Sequence, residues 1–197
     1  MTSTYKVPKD DWQYLLPCLA CAICFAATDL FGIIDKANFA YWSGVLISEP
    51  YRLITTHFIH GDANHLLANT FGIVVARYCL KSLKLKGSYF FLLLIGLLIP
   101  LQTLIFWFLD LFFFRNPMSL ALGFSGILYG VNAFILLGSI YGKKRFYGIK
   151  IGLKKDRKTL QTMLVITSMG LVWSLLPGIS LLGHLAGFIS GAFLFLF

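Results

Sequence analysis

Long apolar runs, broken by short polar or basic stretches, set the pattern of this chain. The first run, Gln13 to Ile34, predicts a helix. Pro17 sits in its first turn, where a missing N–H does little harm, and Asp29 lies near its far end, where a carboxyl can reach an interface. Residues 35–61 mix Phe39, Tyr41, Trp42, Val45, Leu46 and Ile47 with Asp35, Lys36, Glu49 and Arg52. That amphipathic, aromatic pattern predicts a connection lying in a membrane interface rather than crossing it. Further helices are predicted over Asp62–Cys79, over Ser88–Leu109 with a kink at Pro100, over Ser125–Tyr141, over Thr159–Leu176 and over Ile179–Phe197. Between them come an aromatic return at residues 111–122 holding Arg115 and Pro117, a basic loop at 143–158 and a Pro177-Gly178 turn. The lengths approach the roughly 20 residues that a helix needs to cross a bilayer. The expected fold is therefore all-α: a polytopic membrane protein of six transmembrane helices. Residues 1–12 form a short cytoplasmic segment and residues 13–197 a single six-helix domain.

Composition agrees. The chain is 58% hydrophobic and 13% charged, against roughly 45–50% and about 25% for a soluble domain. A formal net charge of +9 raises the question of nucleic acid. The basic residues sit in loops between apolar runs and form no single face, so no nucleic-acid partner is expected. Their distribution sets orientation instead. Six spans place Lys6, Lys9, Arg77, Lys81, Lys84, Lys86, Lys143, Lys144, Arg145, Lys150, Lys154, Lys155, Arg157 and Lys158 on one side, and only Lys36, Arg52 and Arg115 on the other. By the positive-inside rule both termini are cytoplasmic. No small-residue cleavage site follows the first run, which reads as an anchor rather than a removed signal. Cys18, Cys21 and Cys24 lie inside that run without a histidine companion and read as small buried apolar residues.

Three polar clusters lie near the outer ends of three different spans. Gly123-Phe124-Ser125-Gly126 opens the fourth, and a serine between glycines there is a candidate nucleophile. A hydroxyl needs a base, and His184, well inside the sixth span, can supply one near neutral pH. Gly126 and Gly130 on the fourth span, and Gly183, Gly187 and Gly191 on the sixth, form small faces that let helices approach closely in lipid. That approach would bring Ser125 to His184. No acidic residue lies inside either span, so the pair reads as a Ser-His dyad. Tyr129, one turn from Ser125, is placed to stack on the imidazole. His65 and Asn69 share one face of the second span at i, i+4. With the Ser125 backbone N–H at a helix N-terminus, they are candidate donors to an oxyanion. A zinc site from His57, His60, His65 and Asp62 is the competing reading. It lacks an HExxH pattern, and His57 and His60 read as loop structure. Neither a metal nor another cofactor is called for.

These residues carry a resemblance. Over about residues 50–197 the chain resembles the rhomboid intramembrane serine proteases. Its Gly123-Phe124-Ser125-Gly126 is similar to the family's GxSG. His184, Gly187 and Gly191 match the late-helix HxxGxxxG, and His60, His65 and Asn69 match HxxxxHxxxN. The resemblance implies Ser125 as nucleophile, His184 as base, His65 and Asn69 as oxyanion donors, Tyr129 in support and His60 as the histidine that holds the first loop. It also implies lipid and single-span membrane proteins as partners. The family's Trp-Arg pair is replaced by Tyr51-Arg52, which puts the anchoring of the first loop in question. A catalytically inactive binder of transmembrane helices on the same fold is the alternative, and the intact Ser125 and His184 argue against it. A transporter would call for internal repeats or mid-membrane charges, and neither is found.

Overall fold

A computed structural model describes residues 11–86 and 89–197. Most of the expected 1–12 segment, Lys6 and Lys9 included, and Ser88 at the start of the third predicted span lie outside the described residues. The described chain is mostly helical: α1 (Trp12–Phe25), α2 (Arg52–Thr55), α3 (Ala63–Ser82), α4 (Phe90–Phe108), α5 (Ser125–Tyr141), α6 (Arg157–Trp173) and α7 (Leu181–Phe195). Wider π-helical turns extend α1 over Ala26–Leu30 and α4 over Leu109–Phe113.

The helix starts are written locally. Asp62, Asp156 and Ser180 each adopt extended backbone and accept from an N–H in the first turn, of His65, Thr159 and Gly183, at 2.9, 2.8 and 3.0 Å. Such caps satisfy donors that the helix itself leaves open. Among the described residues no side chain caps the start of α5, where Phe124 precedes Ser125. Gly142, at φ +67°, ends that helix in a conformation that suits glycine.

α5 sits at the centre, touching α3, α4, α6 and α7. Its Ile127, Val131, Phe134 and Ile135 are fully buried against Leu94 and Leu98 of α4 and Leu80 of α3. The outer faces are apolar as well: Ile23 of α1, Phe71 of α3 and Val172 of α6 are 68%, 69% and 68% exposed. Among the described residues two of the six stretches predicted as spans, Trp12–Leu30 and Phe90–Phe113, have the length and apolarity of a membrane-crossing helix. α5 and α7 are apolar but shorter. α3 carries Asn64, His65, Asn69, Arg77 and Lys81, and α6 starts with Arg157-Lys158-Thr159, which lowers the hydropathy of both.

The all-α expectation needs correction at two places. Residues 143–158 are not a plain loop: β3 (Lys143–Phe146) and β4 (Ile149–Leu153) form an antiparallel hairpin. Tyr147 and Gly148 turn it at φ +46° and +81°, the left-handed pair that a two-residue hairpin favours. Phe146, Ile151 and Leu153 point into the core, while Lys144, Arg145 and Lys150 stay outside. β1 (Tyr41–Trp42) pairs with β2 (Leu120–Ala121) and ties the 35–61 connection to the strand that leads into Ser125.

The 35–61 connection is also more deeply built in than an interfacial loop requires. Arg52 is 4% exposed. Its Nε donates to Glu49 at 2.6 Å and its Nη1 to the carbonyls of Ala37 and Ala40 at 2.8 and 2.5 Å. Tyr51 stays exposed and donates to Glu49 or the Asn38 carbonyl. Arg52 anchors the connection, and the Tyr51 ring adds contacts with Phe39 and the Arg52 guanidinium at its surface.

Candidate active site

The site forms where α5 and α7 come into backbone contact. A Cβ on Gly187 would overlap the carbonyl oxygen of Gly126, and one on Gly191 would overlap that of Gly130. Only hydrogens at these positions permit the crossing. Gly183 behaves differently: a Cβ there would meet Ser180 Oγ at 3.0 Å within its own helix turn. At the N-terminal end of α5 the Ser125 hydroxyl lies 2.8 Å from Nε2 of His184. Tyr129 stacks on the imidazole, with centroids 4.2 Å apart and planes 14° from parallel.

The imidazole has a second polar partner that sequence reasoning missed. The hydroxyl of Ser174, just past the end of α6, lies 2.6 Å from His184 Nδ1. It also donates to the Gly170 carbonyl at 2.7 Å and sits 3.2 Å from the Tyr129 hydroxyl. The available signal was positional: Ser174 stands three residues before Pro177, at the start of the turn that folds α6 back toward α7.

α3 faces the pair from the other side. His65 packs against Gly123, whose φ of +109° suits glycine and whose Cβ would strike the ring. Gly123 therefore serves both the turn into α5 and the seating of His65. Asn69 Nδ2 lies 2.9 Å from Nε2 of His60, and His60 Nδ1 lies 3.2 Å from the Phe58 carbonyl. A carbonyl only accepts, so Nδ1 carries the proton and Nε2 accepts from the Asn69 amide. Burial, with the neighbouring His65 adding to it, pushes the His60 pKa down to about 4, which keeps the ring neutral near pH 7. His60 thus orients Asn69 as well as the first loop. His57 does not join this cluster. It is buried with Nε2 at 2.9 Å from Thr103 Oγ1 and 3.1 Å from the Ile99 carbonyl, so its ring bonds to α4 rather than to His60 or His65.

A cavity of about 1030 Å³ opens over these groups, lined by His65, Asn69, Gln102, Ser125, Gly126 and His184. Gln102, a lone amide in the apolar α4, was the second residue missed. Its Nε2 donates to the Gly183 carbonyl at 3.0 Å and would contact a Cβ on Gly126. An amide isolated in an apolar helix is itself a signal. Phe71 and Val75 of α3 and Ile166 and Trp173 of α6 make the apolar side of the cavity.

The arrangement has the parts of acyl-transfer chemistry: a hydroxyl, a base within hydrogen-bond reach, amide and imidazole donors nearby, and an uncapped helix start beneath them. No curated protein matches the chain. The family model of the Rhomboid domain matches residues 48–197, a stretch that contains every side chain of this site. By that match, over well more than half its length, the chain belongs to the rhomboid family, whose members are generally membrane-embedded serine proteases.

Proposed function

We propose that the protein is an intramembrane serine endopeptidase that cleaves single-span membrane proteins in or near their transmembrane segments. The observation that carries this reading is the 2.8 Å contact between Ser125 Oγ and His184 Nε2 in a cavity lined by polar and apolar side chains together. Ser125 attacks the scissile carbonyl as its proton passes to Nε2. The C–O bond forms, the carbonyl oxygen takes the negative charge, and the imidazole becomes an imidazolium. The Ser125 backbone N–H, His65 and Asn69 are the donors for that oxygen. Nε2–H then protonates the leaving amine as the C–N bond breaks, and water repeats the sequence on the acyl-enzyme. An intact substrate helix hides its peptide bonds, so the segment to be cut must unwind into the cavity, which favours helix-weakening residues near the cut.

In this reading α1, α3, α4, α5, α6 and α7 are six spans of one domain over residues 13–197. Both termini and the basic β3–β4 hairpin are cytoplasmic, and the serine is on the outer side. The test is direct. Purified protein in detergent is incubated with model single-span substrates, alongside Ser125→Ala. Cleavage by the wild type, its loss in the variant, and Ser125-dependent labelling by a phosphonylating probe are expected. Equal turnover by Ser125→Ala ends the assignment.

A further inference from the structure

We propose that Ser174 is a positioning residue that sets the tautomer and orientation of the His184 imidazole, completing a Ser125–His184–Ser174 chain. Its catalytic meaning rests on the protease reading above; its structural content does not.

The direction of each bond follows from a count of protons. A hydroxyl has one proton to donate and two lone pairs to accept with. The Gly170 carbonyl, 2.7 Å from Ser174 Oγ, can only accept, so it takes the serine proton. His184 Nδ1, at 2.6 Å, then faces a lone pair and must carry its own hydrogen. The Tyr129 hydroxyl, at 3.2 Å, donates to the remaining lone pair. Every position on Ser174 Oγ is used, and each bond has one possible direction. With Nδ1 protonated, Nε2 of a neutral imidazole is bare, and it is the atom 2.8 Å from the Ser125 hydroxyl. The chain runs one way: Ser125 to His184, His184 to Ser174, Ser174 to the Gly170 carbonyl. Bonds aligned head to tail polarise one another. The Nδ1–H to Ser174 bond strengthens when the ring becomes cationic, as bonds from charged donors do. Among the described residues no carboxylate reaches Nδ1 to do this instead.

Serines near helix ends often bond the carbonyl four residues back, as Ser174 does with Gly170. That habit accounts for one of the three contacts and predicts nothing about histidine. Tyr129 is held by the same knot. Its ring stacks on His184 while its hydroxyl touches Ser174, and a Cβ on Gly170 would collide with that hydroxyl. The ring plane is fixed by the stack, and rotation within it by the two bonds at Nδ1 and Nε2.

The experiment uses the full chain in detergent with 15N-labelled histidine. Wild type, Ser174→Ala and Ser174→Thr are compared, and His184→Ala assigns the signal among the four histidines. In wild type and Ser174→Thr the His184 ring nitrogens should report the Nδ1–H tautomer. In Ser174→Ala they should report a mixture or the Nε2–H form. In parallel, Ser174→Ala should lower kcat about 10- to 100-fold with KM nearly unchanged, and threonine should restore most of it. That loss is smaller than the roughly 10⁴-fold that a wrong tautomer costs where the orienting group is a carboxylate. An unchanged tautomer in Ser174→Ala overturns the proposal, and so does an equal defect in Ser174→Thr. A Ser174-dependent tautomer in a protein without Ser125-dependent cleavage upholds the proposal and removes the protease reading.

Discussion

Gly187 of α7 lies against the carbonyl oxygen of Gly126 of α5, so closely that no side chain fits between them. Gly191 meets the Gly130 carbonyl in the same way four residues on. Because Gly126 follows Ser125 and Gly187 lies one turn from His184, the helix crossing and the Ser125–His184 distance are one geometric fact. Gly187→Val should separate the helices. A misplacement of roughly 1 Å can cost about a hundredfold in rate, so cleavage and phosphonylation of Ser125 should both fall by about that factor, with a lower melting temperature. Gly183→Ala meets Ser180 of its own turn and the ring edge of Phe106, not the α5 backbone, and should be far milder. Equal effects of the two would show that the α5–α7 contact does not place the dyad.

Much of this was legible in the sequence. Glycines at four-residue spacing mark where helices meet in lipid, and a histidine at membrane depth is costly unless it serves a site. The order of the long helices was readable from apolar runs. Three features were not. The β3–β4 hairpin hid behind its lysines, although Phe146, Ile151 and Leu153 mark its inward side. Ser174 hid because its meeting with His184 depends on how tightly α6 turns into α7, which no periodicity records. Arg52 read as an interfacial charge, and its burial depends on carbonyls of residues 12 to 15 positions earlier.

Arg52 should be the stability anchor of the first connection. Its guanidinium satisfies the Ala37 and Ala40 carbonyls and pairs with Glu49. Arg52→Ala leaves the buried Ala40 carbonyl without its donor, a loss of about 1–3 kcal/mol. Arg52→Lys keeps the charge but not the fork and should recover only part. Thermal unfolding in detergent reads both. Wild-type melting of Arg52→Lys would mean that charge alone holds the connection.

Acid should loosen the same region through His57. Burial pushes its pKa down to about 4, against an ordinary value near 6.5. Below about pH 6.5 the unfolded chain takes up a proton that the native protein refuses until about pH 4. The native state therefore loses stability as pH falls through that window, by at most about 1.4 kcal/mol per pH unit for this group. Melting temperatures at pH 7 and pH 5 should differ, and His57→Gln, which cannot titrate, should narrow the difference. An unchanged slope in that variant would place the acid sensitivity elsewhere.

The proposed oxyanion donors separate a working site from a well-placed dyad. Asn69 uses one amide hydrogen on His60 Nε2, at 2.9 Å, and the second hydrogen of the same nitrogen is free to serve an oxygen in the cavity that Asn69 lines. Losing one such donor typically costs roughly 100- to 1000-fold. Asn69→Ala should cost less, since His65 and the Ser125 backbone N–H remain. The loss should fall on kcat and leave KM nearly unchanged, because the bond forms only as charge develops. His65→Ala should act alike, and the double variant should lose less than the product of the two. His60→Ala should reproduce part of the Asn69→Ala defect by freeing the amide to rotate. Added to Asn69→Ala it should change kcat no further, since the first loop, which His60 still holds through the Phe58 carbonyl, supplies no donor to the oxyanion. A KM-only effect of Asn69→Ala would make Asn69 a substrate contact. A further kcat loss in the His60→Ala, Asn69→Ala double variant would show that His60 acts on the site by a route other than Asn69.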